Sequence, residues 1–206
     1  MAGKAALASH RGENRTHRQI HPGDPPTRTR EKIMQAVCDV LEQLVREHTL
    51  THYAIGGATA AGFHGEPLAT RDVDVFVFID PPAGSLLVTL EPLFSRLADL
   101  GFKEFEEEGL LIHSFPVQFL SAATSLETEA VESAMIAEWE DHRIRVMRPE
   151  HLAAIAMTVG RPKDRARLVY LVELPGFDRV YFADILSRHH LQKRWDEWAA
   201  SLGLQS

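Results

Sequence analysis

The first clear hydrophobic pattern in the chain is a stripe between residues 29 and 48, where apolar side chains recur every three or four residues. This spacing places them on one face of a helix, for which Thr29 is a suitable N-cap. A short apolar stretch, "HYAIGG" (52–57), follows and ends in a glycine pair, which predicts a buried strand and a turn. The small residues of "ATAAGF" (58–63) are compatible with a short helix.

The pattern then changes to a period of two. The segment "DVDVFVFI" (72–79) alternates and is rich in β-branched and aromatic residues, so it predicts a strand, which the following proline pair ends. We expect a helix next, with its end at Leu100-Gly101. Pro92 lies either in the first turn of this helix or at a kink in a longer helix that begins near Gly84.

Three further strands and a helix are expected before residue 148. Residues 102–121, "FKEFEEEGLLIHSFPVQFLS", are typical of a β-hairpin with Gly109 at the turn and Pro116 at a bulge or bend. Residues 125–139 favour a helix, and "HRIRVM" (142–147) favours another strand.

The rest of the chain favours helices alone. Pro149-Glu150 is a common helix start, "GRPKD" (160–164) interrupts the pattern, and helical periodicity then continues to Glu173. After "PGFD" (175–178) we expect one or two more helices. The order of elements predicts an α+β fold, with helices packed on a mixed β-sheet and a helical C-terminal region.

Three regions follow from this pattern: a disordered basic tail at 1–28, a core at 29–148 and a helical C-terminal region at 149–206. The tail is polar and rich in arginine and proline, so it cannot bury enough apolar surface to fold. Residues 1–30 carry a net charge of +4, and because the whole chain carries -7, the rest carries -11. An acidic body is a poor general binder of nucleic acid, although a local basic pocket is compatible with it.

Composition narrows the class of protein. The chain has 206 residues, of which 45% are hydrophobic and 25% charged, as is ordinary for a globular protein. No apolar run approaches the roughly 20 residues of a membrane span, so we expect no membrane partner. The single cysteine, Cys38, excludes an internal disulfide and fits a reducing, cytoplasmic compartment, and we expect it to be buried and inert.

The candidate chemistry begins with Asp72 and Asp74, which stand two positions apart in the predicted strand. Side chains at this spacing project to the same face, so the two carboxylates repel each other. A divalent cation relieves such repulsion, and hard oxygen ligands suit Mg²⁺ or Mn²⁺. Taken alone, an Asp-x-Asp pair is more often solvated at the surface, so its neighbours decide between the two interpretations.

Gly56 and Gly57 close the preceding predicted strand and open a short helix. Glycine allows backbone N–H groups to approach a ligand, and a helix N-terminus favours an anion. A glycine pair is by itself more often a tight turn. The first aspartate, however, follows Gly56 by 16 residues, and the two features together favour phosphates held beside a metal, as phosphoryl transfer requires.

These residues carry a resemblance to a known family. "IGGATAAGFHGEPLATRDVDVFV" (55–77) resembles the signature of the nucleotidyltransferase superfamily: a glycine pair, a short helix, then Asp-x-Asp on the next strand. The form with "HGEP", and with Thr and Arg directly before the first aspartate, resembles small bacterial nucleotidyltransferases related to abortive-infection and toxin–antitoxin toxins. "RPEHLAAIAMTVGRPKDRARLVYL" (148–171) is similar to the helical segment of that branch.

The resemblance implies a nucleotidyltransferase fold and the transfer of a nucleotidyl group from an NTP to a hydroxyl, with Mg²⁺ or Mn²⁺ as cofactor. It implies that Gly56 and Gly57 contact the triphosphate. Asp72 and Asp74 would bind the metal and act in catalysis. The acceptor, an RNA 3′ end, a protein side chain or a small molecule, stays open, and the toxin-like branch implies a cognate antitoxin as a partner.

The second motif supplies basic residues. Arg161 and Lys163 match it, and the resemblance implies that they meet the phosphates or the acceptor. Arg71 is a further nucleotide-binding candidate, which would contact a phosphate or pair with Asp164.

Two departures from the family's pattern keep an alternative open. A third carboxylate is usual on a later strand, and Gln118 stands at that catalytic position in "PVQFLS". A lysine is usual where this chain has Ala156. Because a neutral amide cannot act as a general base, the alternative is a catalytically degenerate protein of the same fold that serves as a nucleotide-binding or protein-interaction module.

Overall fold

The residues that the computed structural model describes are 27–65, 70, 72–78, 89–139 and 142–204, with the backbone alone for 27–33 and for Trp139. Most of the expected tail at 1–28 lies outside the described residues, as do Arg71 and the expected helix start near Gly84. Within these ranges, no helix is long and apolar enough to cross a membrane.

The described residues form one mixed sheet of seven strands. The strands are β1 (His52–Ile55), β2 (Val73–Phe78), β3 (Phe105–Glu106), β4 (Gly109–Ile112), β5 (Phe115–Ser121), β6 (Met135–Trp139) and β7 (His142–Val146). Their order across the sheet is β3-β4-β5-β2-β1-β7-β6.

Eight helices accompany this sheet in the described ranges. They are α1 (Thr27–Arg46), α2 (Gly57–Phe63), α3 (Glu91–Asp99), α4 (Ser125–Glu132), α5 (Pro149–Val159), α6 (Pro162–Val172), α7 (Arg179–Arg188) and α8 (Gln192–Leu202). The expected α+β architecture, a mixed sheet with packed helices and a helical C-terminal region, is confirmed.

Strand β2 is central in the sheet and has one face in the core. It pairs antiparallel with β1 and parallel with β5, and Asp74 lies in register with Gln118. Val73, Val75 and Val77 are at most 1% exposed, so their side chains belong to the core. Because side chains alternate along a strand, the same packing directs Asp74 to the opposite face.

Several local signals gave the right element boundaries. Pro149 is the first residue of α5, and Gly160 ends this helix in the left-handed conformation, at φ +77°. Pro162 then begins α6. Cys38 is buried, and burial raises the pKa of its thiol to about 12, which keeps it protonated and unreactive as expected.

Two of the helix predictions were wrong in extent. α1 begins at Thr27, so Thr29 lies inside the helix and is not its cap. The predicted helix at 125–139 ends at Glu132, and its second half is strand β6, which pairs antiparallel with β7 along the sheet edge. Pairing with a strand later in the sequence therefore overrides the local helical pattern.

The turn expected at Gly109 is present, because Glu107 and Glu108 join Glu106 to its paired residue Gly109, but a second turn divides residues 102–121 into three strands instead of a single hairpin. The second turn is formed by His113 and Ser114, which both have positive φ, as a tight two-residue hairpin turn requires. Pro116 pairs in regular register with Leu111 and forms no bulge. Ile112 and Phe115 flank the two-residue turn, and a pair in this position exchanges both backbone hydrogen bonds. The next pair, Leu111 and Pro116, exchanges none, so the missing N–H of the proline is tolerated there.

A polar cluster of Glu129, His151, Arg188 and His189 joins α4, α5 and α7. The Glu129 carboxylate accepts hydrogen bonds from His151 Nε2 (3.1 Å), His189 Nε2 (2.7 Å) and Arg188 Nη2 (2.5 Å). Burial alone would raise the pKa of Glu129, but these hydrogen bonds outweigh it and lower the pKa to about 2. The cluster thereby fixes α5, which is connected directly to α6, against its neighbours.

We expect Glu129→Gln to lower the free energy of unfolding by about 1–3 kcal/mol at neutral pH, because it weakens hydrogen bonds to a charged group. The folded-state pKa of Glu129 lies below its ordinary value of 4.5, so its contribution is present above about pH 4.5 and lost as the pH falls toward about 2. Chemical denaturation of both proteins across this pH range measures the difference. Glu132→Gln, at an exposed position on the same helix, is the matched control, and an effect of Glu129→Gln that does not change with pH would contradict the assignment.

Candidate active site

A cleft of about 370 Å³ lies between the sheet and helices α5 and α6. The residues that line it include Asp72, Asp74 and Gln118 from the sheet side, Gly57 from the start of α2, and Arg161, Lys163 and Arg167 from α6. Acidic and basic side chains thus face each other across one cavity.

The turn from β1 into α2 is pressed against Asp74. The backbone N–H of Gly56 donates to the backbone carbonyl of Asp74 (2.9 Å). Gly57 has φ +56°, and a Cβ built on it would overlap the Asp74 carboxylate. Only glycine meets both requirements, since it tolerates the left-handed conformation and leaves the space of a side chain empty.

Asp72 and Asp74 enter the cleft together, as their spacing predicts, although Asp72 lies one residue before β2. The Thr70 hydroxyl donates to Asp72 Oδ1 (2.5 Å), and the Thr59 hydroxyl donates to the backbone carbonyl of Asp72 (3.2 Å). Asp72 is exposed and Asp74 is half-buried. Burial, and then the charge of Asp72, raises the pKa of Asp74. The ionised carboxylate of Asp74 is therefore energetically unfavourable in this position, and a bound cation would stabilise it.

The donor set fits a hard divalent cation. Mg²⁺ in proteins commonly takes one or two carboxylates and completes its coordination with water and substrate phosphates. Among the described residues, no group of three or more His, Cys, Asp or Glu side chains is placed to hold a metal ion by itself. Asp72 and Asp74 therefore fit an ion that shares its remaining ligands with a bound substrate.

The basic side of the cleft is organised by Asp164, which is only 2% exposed. Its carboxylate accepts from the backbone N–H of Arg161 (3.0 Å) and from Arg161 Nε (2.9 Å), and Arg167 Nη1 lies 3.6 Å away. The hydrogen bond with Asp164 raises the pKa of Arg161. Lys163 is exposed at the same helix start, and its charge opposes the upward shift in the pKa of Asp74.

Gln118 is hydrogen-bonded to the carboxylate of Glu108, a residue that was not predicted from the sequence to belong to the site. Its Nε2 donates to Glu108 Oε2 at 2.6 Å, and both side chains line the cleft. Glu108 follows the left-handed residue Glu107 (φ +52°) in the turn between β3 and β4. The side chain of Glu108 is exposed, and it lines the cleft.

Helix α5 adds an apolar wall. Leu152, Ile155, Ala156 and Val159 line the cleft from this helix, and Val159 is half exposed. Ala156 occupies the position where the resembling family has a lysine, so this wall offers hydrophobic contact and no charge.

Six of the predicted site residues line the cleft: Gly57, Asp72, Asp74, Gln118, Arg161 and Lys163. Gly56 is buried behind it and is bonded through its backbone N–H to Asp74. Arg71 lies outside the described residues. Glu108 was missed because its place depends on the register between β4 and β5, which sets Leu110 opposite Val117. No motif around Glu108 carries that information.

Comparison with known proteins gives a likeness of fold. A crystal structure of an antigenic nucleotidyltransferase-like protein from Paracoccidioides brasiliensis matches with a TM-score of 0.51 at 16% identity, over 82% of this chain and 91% of that one. A solution structure of the antibiotic-resistance factor ANT(2'')-Ia matches with a TM-score of 0.39 at 14% identity, over 85% and 91% of the two chains. No protein-family model and no curated protein matches the sequence. The likeness to the first of these structures agrees with the nucleotidyltransferase-like α+β fold that the sequence predicts.

Proposed function

We propose that the protein is a Mg²⁺-dependent nucleotidyltransferase that transfers a nucleotidyl group from an NTP to a hydroxyl. The observation that carries this proposal is the cleft itself, in which two adjacent carboxylates face three basic side chains beside a glycine turn. A triphosphate with a divalent cation is the ligand whose charges complement both walls. Phosphoryl-transfer sites use this combination of positioning and electrostatic stabilisation.

Each wall has its own task in this proposal. Asp72 and Asp74 would hold Mg²⁺ or Mn²⁺, which supplies neutralisation of the phosphate charge when bound. Arg161, Lys163 and Arg167 bind phosphate oxygens from the other side. The acceptor hydroxyl attacks the α-phosphorus, the bond to the bridging oxygen of the β-phosphate breaks, and pyrophosphate leaves with the electron pair.

The acceptor is proposed only by class, as a hydroxyl of an RNA end, of a protein side chain or of a small molecule. The resemblance of residues 55–77 to the abortive-infection and toxin–antitoxin branch supports a role as a toxin with a cognate antitoxin. A cytoplasmic location fits both the NTP and the single cysteine.

A second candidate is a non-catalytic module that binds a nucleotide or a protein partner. The neutral Gln118 beside Asp74 favours it, because the position where the resembling enzymes have a carboxylate here has an amide. Incubation with each α-labelled NTP, Mg²⁺ or Mn²⁺, and total cellular RNA, the protein itself or glycerol separates the two. Labelled product with released pyrophosphate supports the enzyme, whereas nucleotide binding without either supports the module.

We expect calorimetric titration with Mn²⁺ to show a site that the double substitution Asp72→Asn with Asp74→Asn removes. The same change should raise the melting temperature of the metal-free protein, because the pKa of Asp74 is raised in the fold, and its ionised form therefore costs stability as the pH rises above about 3.8. Equal Mn²⁺ binding by the double variant would contradict the metal assignment.

Gly57→Ala tests the glycine turn. The added Cβ would overlap the Asp74 carboxylate, and alanine would have to adopt the left-handed backbone conformation of Gly57. We therefore expect Mn²⁺ and MgATP to bind at least about tenfold more weakly, a loss of about 1.4 kcal/mol. The control is Gly176→Ala, where a Cβ would meet no atom within 4 Å. Unchanged affinities in a folded Gly57→Ala protein would place the phosphates elsewhere.

Lys163→Met tests the basic wall. Loss of this charge should weaken MgATP binding by roughly tenfold, about 1.4 kcal/mol, and should reduce the sensitivity of binding to salt. Lys193→Met removes an exposed lysine from α8, outside the cleft lining, and should leave both unchanged. Fluorescence titration at two salt concentrations gives both quantities.

A further inference from the structure

Five carboxylates line the cleft: Asp72, Asp74, Glu108, Glu127 and Asp164. All except Glu108 already have a structural role or a proposed metal to bind. Asp72 and Asp74 are the proposed metal ligands. Asp164 is tied to two arginines, and Glu127 accepts from the backbone N–H and the hydroxyl of Thr124 in the capping box of α4. Glu108 is the one that remains for chemistry.

The surroundings of Glu108 suit a group that exchanges a proton. Its Oε2 accepts from Gln118, while its Oε1 accepts no hydrogen bond from the described residues. Gln118 lies in register with Asp74 on the neighbouring strand, and adjacent strands are about 4.8 Å apart. Glu108 is therefore one hydrogen bond away from the side chain next to Asp74. Because Glu108 is exposed, a proton that it takes up can pass to water.

We propose, on the basis of the proposed function, that Glu108 is the general base of this site and that Gln118 is its positioning residue. The carboxylate of Glu108 removes the proton from the acceptor hydroxyl. The acceptor oxygen forms its bond to the α-phosphorus, the bond to the β-phosphate oxygen breaks, and pyrophosphate carries away the electron pair. Glu108 then releases the proton to solvent, which restores the site.

The different roles of Glu108 and Gln118 follow from the chemistry of their side chains. An amide nitrogen donates hydrogen bonds and accepts no proton near neutral pH, so Gln118 cannot be the base. It can hold the carboxylate of Glu108 in one orientation over the cleft, and a positioned base is worth about 10²–10⁴ in rate. The carboxylate that is absent from β5 is thus supplied by the turn between β3 and β4.

The test compares Glu108→Ala with Glu106→Ala, which removes an exposed glutamate from the same hairpin but outside the cleft lining. We expect Glu108→Ala to lower the rate of transfer from α-labelled NTP about 10²–10⁴-fold, with the Kd for MgATP unchanged within twofold. Added formate should restore part of that rate, because a small carboxylate can enter the space that the substitution opens. Glu106→Ala should match the wild type and respond to no formate.

Gln118→Leu gives an independent measurement. It should lower the rate by roughly tenfold on its own and by nothing further in the Glu108→Ala background, since residues that act through one another are not additive. A Glu108→Ala rate within twofold of wild type, or a loss that formate does not restore, overturns the assignment of Glu108. In that case transfer that still depends on Asp74 leaves the proposed function intact. Wild-type protein that transfers no nucleotide to RNA, to itself or to glycerol overturns both.

Discussion

The half-buried carboxylate of Asp74 constrains the rest of the site. Its position on a central strand takes it partly out of water, and the adjacent charge of Asp72 adds to the cost of its ionised form. The chain accommodates it by leaving Gly57 without a side chain in a conformation that other residues rarely adopt. A protein gains nothing in stability from this arrangement, and such local costs are typical of sites that bind a ligand.

The basic side of the cleft depends on a second carboxylate, Asp164, whose charge is compensated by arginines within the fold. Asp164 is almost inaccessible, and Arg161 and Arg167 surround it. It therefore offers no open ligand position, but it fixes the start of α6 and the direction of Arg161 before any anion arrives. Side chains ordered in advance lose less conformational entropy on binding. Among the described residues, Asp164 is paired with two arginines and the carboxylate of Asp74 has no such pairing, so only Asp74 is open to a bound cation.

Local sequence patterns were sufficient for the features that local physics determines. The alternation around Asp74 gave both the strand and the face of its side chains. Pro149 and Gly160 marked helix ends, because proline suits the first turn and glycine the left-handed cap. Strand β6 was predicted as helix, since its identity comes from pairing with β7, and no periodicity within Met135–Trp139 contains that partner.

The same limit applies to Gln118, whose neutral amide taken by itself favours a catalytically degenerate site. A motif records which side chain stands on a given strand, whereas the charge of a cavity is the sum over every strand and turn that reaches it. Glu108 enters the cleft from a turn ten residues earlier in the chain and meets the Gln118 amide. An amide is the better neighbour for it, because a carboxylate at position 118 would repel Glu108 as well as Asp74. Replacement of an acid by glutamine on one strand is therefore compatible with an intact charge balance when the next hairpin supplies the acid.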